Sequence, residues 1–153
     1  MYIQSCHMVL FFGVIHITAT AFLKFEKRII RIITKTGSRD SCHQLFKQLQ
    51  ILSLPSQYIF SLLVFVTKHK GLFQSNSEKH DLNTCFNHNL HLPSTNLTSV
   101  HKGVLYSGSK IYSHLPSNIK VLSNDTKLFK STLKSYLIEH TFYTLDEFYQ
   151  SAS

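Results

Sequence analysis

The sequence is poor in acidic residues, in glycine and in proline, and it contains no tryptophan. Its 153 residues include eight Asp and Glu, five Gly and three Pro. Nucleases, kinases and polymerases hold divalent metal ions with clustered carboxylates, yet only Asp146 and Glu147 are adjacent here, where they would start a short helix. A glycine-rich phosphate loop and a G-x-S-x-G nucleophile motif are both missing. We therefore expect no enzyme activity, no small-molecule substrate and no cofactor.

Cysteine is also rare, and its spacing argues against a disulfide framework. The three cysteines, Cys6, Cys42 and Cys85, lie far apart and are odd in number. This pattern fits a reducing compartment better than a secreted protein. We expect the protein to be cytoplasmic or nuclear.

One polar segment contains four residues of types that bind zinc. They are His80, Cys85, His88 and His91. A metal ion could order such a segment, but the spacing H-x4-C-x2-H-x2-H matches no standard zinc finger. A polar loop that happens to contain histidines is the simpler interpretation, and we expect no metal site.

An apolar run, MVLFFGVIHITATAF, extends from Met8 to Phe22. It lacks the preceding positive charge of a signal peptide, and it is short for a membrane span. We interpret it as a buried strand, Val9 to Ile15, that leads into a helix, so the fold should contain at most a short N-terminal strand pair. The alternative is a small membrane or secreted protein, but the run does not favour a membrane partner.

Positive charge is what the sequence has in excess. Lys and Arg number 16 against eight acids, which gives a net charge of +8. Such an excess favours an anionic partner, with nucleic acid first and an anionic membrane surface second. A basic surface without any partner is the alternative.

Much of this charge lies on a predicted first helix, which starts near Thr18 or Thr20 and ends before Gly37. At about 100° per residue, apolar side chains share one face and cations the opposite one. The apolar face is Phe22, Phe25, Ile29, Ile32 and Ile33, and the basic face is Lys24, Lys27, Arg28, Arg31 and Lys35. The apolar face should pack on the rest of the protein. The basic face could follow a phosphate backbone without reading base sequence, or it could be a solvated helix surface.

Two further helices should complete the N-terminal part, 1–73. Ser41 and Gln44 have the spacing of a capping box and open a short helix. Pro55 opens a third helix, which should stop at Gly71. Their predicted inner side chains are Leu45, Phe46 and Leu49 in the short helix, and Ile59, Leu62, Leu63 and Val66 in the third. Because the third helix has little charge on its outer face, it is either central or docked against another surface.

We predict an irregular loop without helix or strand over 74–108. A loop of this length is either functional or partly disordered. Regular structure should return over 109–150, first as a helix over Ser109–Leu115 that Pro116 ends. The predicted fold is one mostly α-helical domain, 1–153, with a long irregular middle loop.

The longest C-terminal helix should run from Asn124 or Asp125 to about His140, and Thr144 and Glu147 should open a final short turn as a capping box. Phe129, Leu133, Tyr136 and Leu137 would face the core, with Lys127, Lys130 and Lys134 on the far side.

Several short segments, taken in order, resemble a known protein region. They are FFG (11–13), EKRIIRII (26–33), RDSCHQLFKQLQIL (39–52), LPSQYIFSLLVFV (54–66), HDLNT (80–84), LHLP (90–93), KGVLYSGSKIYSHLPSNIK (102–120) and FYTLDEFY (142–149). Together they resemble the C-terminal region of the reverse transcriptases of jockey-like non-LTR retrotransposons, over about His7 to Tyr149. Each segment is modest by itself, and the shared order and spacing carry the resemblance.

The resemblance implies a position beyond the palm and thumb of an RNA-directed DNA polymerase. The catalytic aspartates of that family lie upstream, in an aromatic-x-Asp-Asp motif that this sequence does not contain. We therefore expect a truncated C-terminal fragment without polymerase activity. The resemblance also implies nucleic-acid contacts from the basic helix, the turn Arg39–Cys42 and the segment Tyr106–Pro116. The candidate binding residues are Lys24, Lys27, Arg28, Arg31, Lys35 and Arg39.

The sequence departs from the family pattern at two positions. Cys85 stands where the family tends to have a basic residue, and Phe12 where it tends to have tryptophan. The first change removes a possible phosphate contact and also weakens the zinc interpretation. The competing hypothesis for the whole chain is a structural segment that docks on the remainder of a reverse transcriptase.

Overall fold

The computed structural model describes residues 21–37, 39–73, 90 and 103–151. Within these ranges the chain forms seven α-helices and no strand. They are α1 (21–34), α2 (Cys42–Gln48), α3 (Leu54–Lys68), α4 (Val104–Ser113), α5 (Ser117–Val121), α6 (Thr126–His140) and α7 (Leu145–Ser151). Short 3-10 turns follow α3 at Lys70–Leu72 and α5 at Leu122–Asn124. The predicted mostly α-helical fold is confirmed.

Some predictions fall on residues outside these ranges. They are the strand over Val9–Ile15, the start of the first helix at Thr18 or Thr20, most of the middle loop, and the candidate zinc residues His80, Cys85, His88 and His91.

Helix α3 lies at the centre of the fold. The sequence allowed it to be either central or docked against another surface, and the structure shows the central position. Its start is locally encoded: Ser53 is the N-cap, its hydroxyl accepts a hydrogen bond from the Ser56 N–H at 3.4 Å, and Pro55 lies in the first turn. The predicted stripe of Ile59, Leu62, Leu63 and Val66 is buried throughout. It packs against α4 on one side and α6 on the other. The weakly charged outer face of α3 is therefore half-buried rather than a free docking surface.

Helix α4 begins at Val104, five residues before the predicted start at Ser109. The predicted boundary of the irregular segment at 108 is therefore wrong. Gly108 lies inside this helix although glycine is a poor helix former. Here the missing side chain permits a close approach, since a Cβ at Gly108 would lie 2.8 Å from Cγ2 of Val66 on α3.

Helix α6 has the boundaries that the sequence predicts. Asp125 is its N-cap and accepts from the N–H groups of Lys127 and Leu128 at 2.9 and 3.1 Å. Phe129, Leu133 and Leu137 are fully buried against α3, and Tyr136 packs at the edge of the same core. Lys127 and Lys134 are exposed, as predicted for the far side, whereas Lys130 is half-buried.

The two predicted capping boxes have different outcomes. At α7, the Glu147 N–H donates to the Thr144 hydroxyl at 3.2 Å, and the Glu147 carboxylate accepts from the Tyr143 N–H at 2.6 Å. At α2, Ser41 does occupy the N-cap position, but its side chain makes no capping hydrogen bond. The side chains predicted to face inward from α2 still do so, since Leu45 and Phe46 are buried and Leu49 packs beside them.

The predicted packing face of the first helix is wrong. Its side chains, Phe22, Phe25, Ile29, Ile32 and Ile33, are between 40% and 68% exposed. The docked face is instead centred on Ile30, which is 3% exposed and forms a small cluster with Cys42, Leu45 and Phe46. Three polar contacts, described below, select this face over the more apolar one.

We predict that Gly108→Ala destabilises the fold by about 1–2 kcal/mol, as overpacking against Val66 outweighs the helix propensity gained. The control is Gly71→Ala, because a Cβ at Gly71 would meet nothing within 4 Å. Chemical denaturation of the two variants measures the difference. Equal stabilities would contradict the close approach of α4 to α3.

Candidate nucleic-acid interface

The site forms where α1 ends in a left-handed turn. Lys35 has φ 53°, the Thr36 N–H donates to the Arg31 carbonyl at 3.1 Å, and the Lys35 N–H donates to the Ile32 carbonyl at 3.3 Å. This pair of hydrogen bonds is a Schellman motif, whose left-handed position is usually glycine. Here a lysine occupies that position instead.

The turn into α2 then orients one arginine. The Gly37 N–H donates to Oδ2 of Asp40 at 2.7 Å, which closes the turn. Arg31 Nη2 donates to the carbonyl oxygen of Asp40 at 3.1 Å. The guanidinium of Arg31 is thus tied to the α1–α2 turn by one of its nitrogens. Its Nε is buried and has no hydrogen-bond partner within the described part of the chain.

An open groove lies along this end of α1, and cations dominate its lining. The lining residues are Arg28, Arg31, Ile32, Lys35 and Thr36. Arg28 and Lys35 are exposed and Arg31 is half-buried. Three positive side chains therefore converge on one surface that is open to solvent, an arrangement that can bind phosphate oxygens.

The other candidate residues lie elsewhere. Lys24 and Arg39 are exposed but do not line the groove. Lys27 is turned onto the protein, with its Nζ 3.4 Å from the centre of the Tyr143 ring. The sequence pattern placed Lys24, Lys27, Arg28, Arg31 and Lys35 on one helix face and Arg39 in the following turn. The structure brings together only Arg28, Arg31 and Lys35 in the groove and assigns Lys27 to packing.

Tyr143 is an important residue that the sequence did not indicate. Its ring contacts the Lys27 ammonium, packs against the His43 ring at a tilt of 47° with the ring centres 4.3 Å apart, and borders Phe46 at 6.1 Å. Burial raises the pKa of the Tyr143 hydroxyl to about 12. The phenol therefore stays neutral near pH 7 and offers Lys27 a π face rather than a negative charge.

Glu26, the acidic residue of α1, is directed inward. Its Oε2 accepts from the Leu54 N–H at 3.1 Å and so satisfies the first turn of α3. Burial raises the pKa of the Glu26 carboxyl above its ordinary value of 4.5, although the hydrogen bond from Leu54 and the charge of Lys27 act in the opposite direction. Because this carboxylate is committed to α3, it does not neutralise the cations of the groove.

The segment Tyr106–Pro116, which the resemblance assigned to nucleic-acid contact, lies mainly on α4. Its Gly108, Ser109, Ile111 and Tyr112 are buried against the core. Lys110 is half-buried and reaches the ring of Tyr149, with Nζ 4.7 Å from the ring centre. The geometry gives this segment a packing role on one face of α4, and the groove on α1 is the stronger candidate surface.

Comparisons with known proteins supply no identity, since no family model, no curated protein and no solved structure matches the chain. Within the described ranges, no three His, Cys, Asp or Glu side chains are placed to hold a metal ion together. No single helix described is long and apolar enough to cross a membrane, while α2 and α3 meet the length and composition criteria as a pair bent by 48°.

We predict that Glu26 makes the stability of the fold depend on pH. Because folding raises its pKa, the folded state holds the proton more tightly than the unfolded state does. The contribution of Glu26 is greatest below pH 4.5 and is lost as the pH rises through the folded pKa. Glu26→Gln keeps an oxygen that can accept from the Leu54 N–H but cannot titrate, so wild type should lose stability relative to this variant as the pH rises.

Urea unfolding of both proteins at several pH values from 4 to 7 measures this dependence. A constant difference in the free energy of unfolding across the series would show that Glu26 does not titrate in the folded state.

Proposed function

We propose that the chain is a C-terminal region of a non-LTR retrotransposon reverse transcriptase, and that it binds the phosphate backbone of RNA or DNA without contributing polymerase chemistry. The order and spacing of the segments that resemble this reverse transcriptase region support the proposed origin of the chain. One structural observation supports the binding, namely the convergence of Arg28, Arg31 and Lys35 on an open groove.

Binding in the groove would depend on one oriented cation and two mobile ones. Arg31 is held by the Asp40 carbonyl, so its guanidinium loses little freedom when it donates to a phosphate. Arg28 and Lys35 are exposed long side chains that can adjust to neighbouring phosphates. Lys24 and Arg39 would extend the positive surface on either side of the groove.

The same groove offers little that could read a base sequence. Its lining besides the cations consists of Ile32 and Thr36, whereas base readout needs several paired donors and acceptors on a rigid element. Binding should therefore be nonspecific and driven by the release of counterions. The three cations of the groove would give a log–log salt slope of about −3 on duplex DNA.

We predict that Arg28→Gln with Lys35→Gln weakens binding to duplex DNA by about tenfold at low salt and reduces the salt slope by about 2. The matched control is Lys127→Gln with Lys134→Gln, which removes the same charge from exposed positions on α6. Fluorescence anisotropy over a salt series measures both quantities. Equal losses in the two double variants would mean that net charge, and not the groove, controls binding.

A second prediction separates binding from folding. Lys35→Gly should stabilise the protein by about 1 kcal/mol, because glycine adopts the left-handed conformation without steric cost, and it should nevertheless weaken binding to DNA. Gln50 is the control, since it has φ 55° at the equivalent position after α2.

Gln50→Gly should also stabilise the protein, but by a smaller amount, because it removes the hydrogen bond from the Gln50 side chain to the Lys47 carbonyl. It should leave the affinity for DNA unchanged. Thermal unfolding and anisotropy on the same samples test both variants. Unchanged DNA affinity in Lys35→Gly would remove this lysine from the site.

A further inference from the structure

The outer surface of α1 carries a continuous apolar ridge. We define the α1 ridge as Phe22, Phe25, Ile29, Ile32 and Ile33, which are 58%, 61%, 40%, 68% and 60% exposed. Half of the large hydrophobic side chains that are exposed in the described part of the chain lie on this one helix. Scattered apolar side chains are normal on a surface, but a contiguous group of this kind marks a contact site.

The flank of the ridge is positively charged. Lys24, Arg28 and Lys35 are all exposed beside it. The acid of α1, Glu26, is turned to the N-terminus of α3, so the described free surface of α1 combines apolar and cationic side chains alone. Whatever covers the ridge therefore has an apolar interior and an anionic rim.

We propose that the α1 ridge binds the surface of an anionic lipid membrane, with α1 lying parallel to it. In a helix at such an interface, phenylalanine and aliphatic side chains enter the acyl boundary while Lys and Arg contact the lipid phosphates. The ridge and its flank match that pattern residue by residue. This departs from the expectation drawn from the sequence, where these side chains were assigned to the protein core and an anionic membrane surface ranked second to nucleic acid.

A second copy of the chain fits the ridge less well. Pairing two ridges would bring Arg28 and Lys35 of one copy near the same residues of the other, and like charges across a contact are unfavourable. The net charge of +8 adds to this repulsion. An anionic membrane has the opposite charge and so attracts the same surface.

The inference does not depend on the proposed nucleic-acid binding. Phosphate backbones contact cations and have no use for the ridge side chains, whereas membrane binding needs both groups. Loss of ridge side chains that do not line the groove, such as Phe25 and Ile33, should therefore affect vesicles alone, and loss of Arg28 and Lys35 should affect vesicles and DNA together.

The absence of tryptophan allows a direct test. Phe25→Trp introduces a single fluorophore on the ridge, and Val121→Trp introduces one on α5 at a residue that is 75% exposed. Each protein is mixed with vesicles of phosphatidylcholine and phosphatidylserine in equal parts, or of phosphatidylcholine alone. We expect a blue shift and quenching by brominated lipids for Phe25→Trp with the anionic vesicles, and little change in the other combinations.

The second measurement is the binding of Phe25→Ser with Ile33→Ser, two ridge residues that do not line the groove, compared with wild type, to the same anionic vesicles by co-sedimentation. Both side chains are more than half exposed, so the fold should persist, and circular dichroism checks this. Affinity for vesicles should fall by about tenfold or more, as apolar area no longer leaves water, while affinity for duplex DNA stays the same.

Three outcomes would overturn the proposal. The first is an unshifted Phe25→Trp spectrum with anionic vesicles. The second is equal vesicle binding by wild type and the double serine variant. The third is a wild-type mass that doubles with concentration and returns to that of a monomer in the double serine variant, which would assign the ridge to a second copy. Vesicle binding without any DNA binding would support this proposal and refute the proposed nucleic-acid binding.

Discussion

The docking of α1 depends on three polar contacts made from two successive turns, and these contacts decide which surface the protein presents. Glu26 accepts from the Leu54 N–H, the Lys27 ammonium lies over Tyr143, and Arg31 donates to the Asp40 carbonyl. Positions 26–27, 30 and 31 lie along one side of a helix, so the contacts surround Ile30 and seal it against α2. A helix fixed in this way cannot also bury the side that carries Phe25 and Ile32.

This choice of face has two consequences on the same helix. It removes Lys27 from the set of cations that an anion can reach, and it leaves Arg28, Arg31 and Lys35 around the groove. It also turns the apolar ridge outward, which costs the protein the burial of five large side chains. The apolar contacts that remain between α1 and α2 are few, so the polar contacts carry much of the specificity of docking.

The sequence encodes its local signals clearly. Asp125 at the start of α6, Pro55 at the start of α3, and Thr144 with Glu147 at α7 all act within a few residues of themselves, and the structure confirms each position. The inner stripe of α3 was equally predictable from the sequence, because a core helix buries its most apolar side whatever packs on it.

What the sequence could not provide depends on distant partners. Glu26 meets Leu54 across 28 positions of the chain, and Tyr143 meets Lys27 from the C-terminal part, so no periodicity within α1 could reveal the docked face. The start of α4 was mispredicted for a related reason, since Gly108 lies within that helix and packs closely against Val66 on α3. The groove was only partly predictable: the pattern identified its cations, and the turn at Asp40 selected which of them converge.

The charges around the α1 contact explain how Lys27 can pack against Tyr143 near neutral pH. Burial lowers the pKa of His43, so this ring is predominantly neutral beside Tyr143 and adds little repulsion to Lys27. The raised pKa of Tyr143 keeps the phenol neutral as well. In acid Glu26 loses its negative charge, which relieves the cost of a buried carboxylate but gives up a charge-assisted bond to the Leu54 N–H. His43 gains a positive charge once the pH falls below its lowered pKa, and this charge lies beside the Tyr143 ring that Lys27 also contacts. Acid therefore acts on α1 in two ways, because it alters the Glu26–Leu54 bond and adds positive charge beside the Lys27–Tyr143 pair.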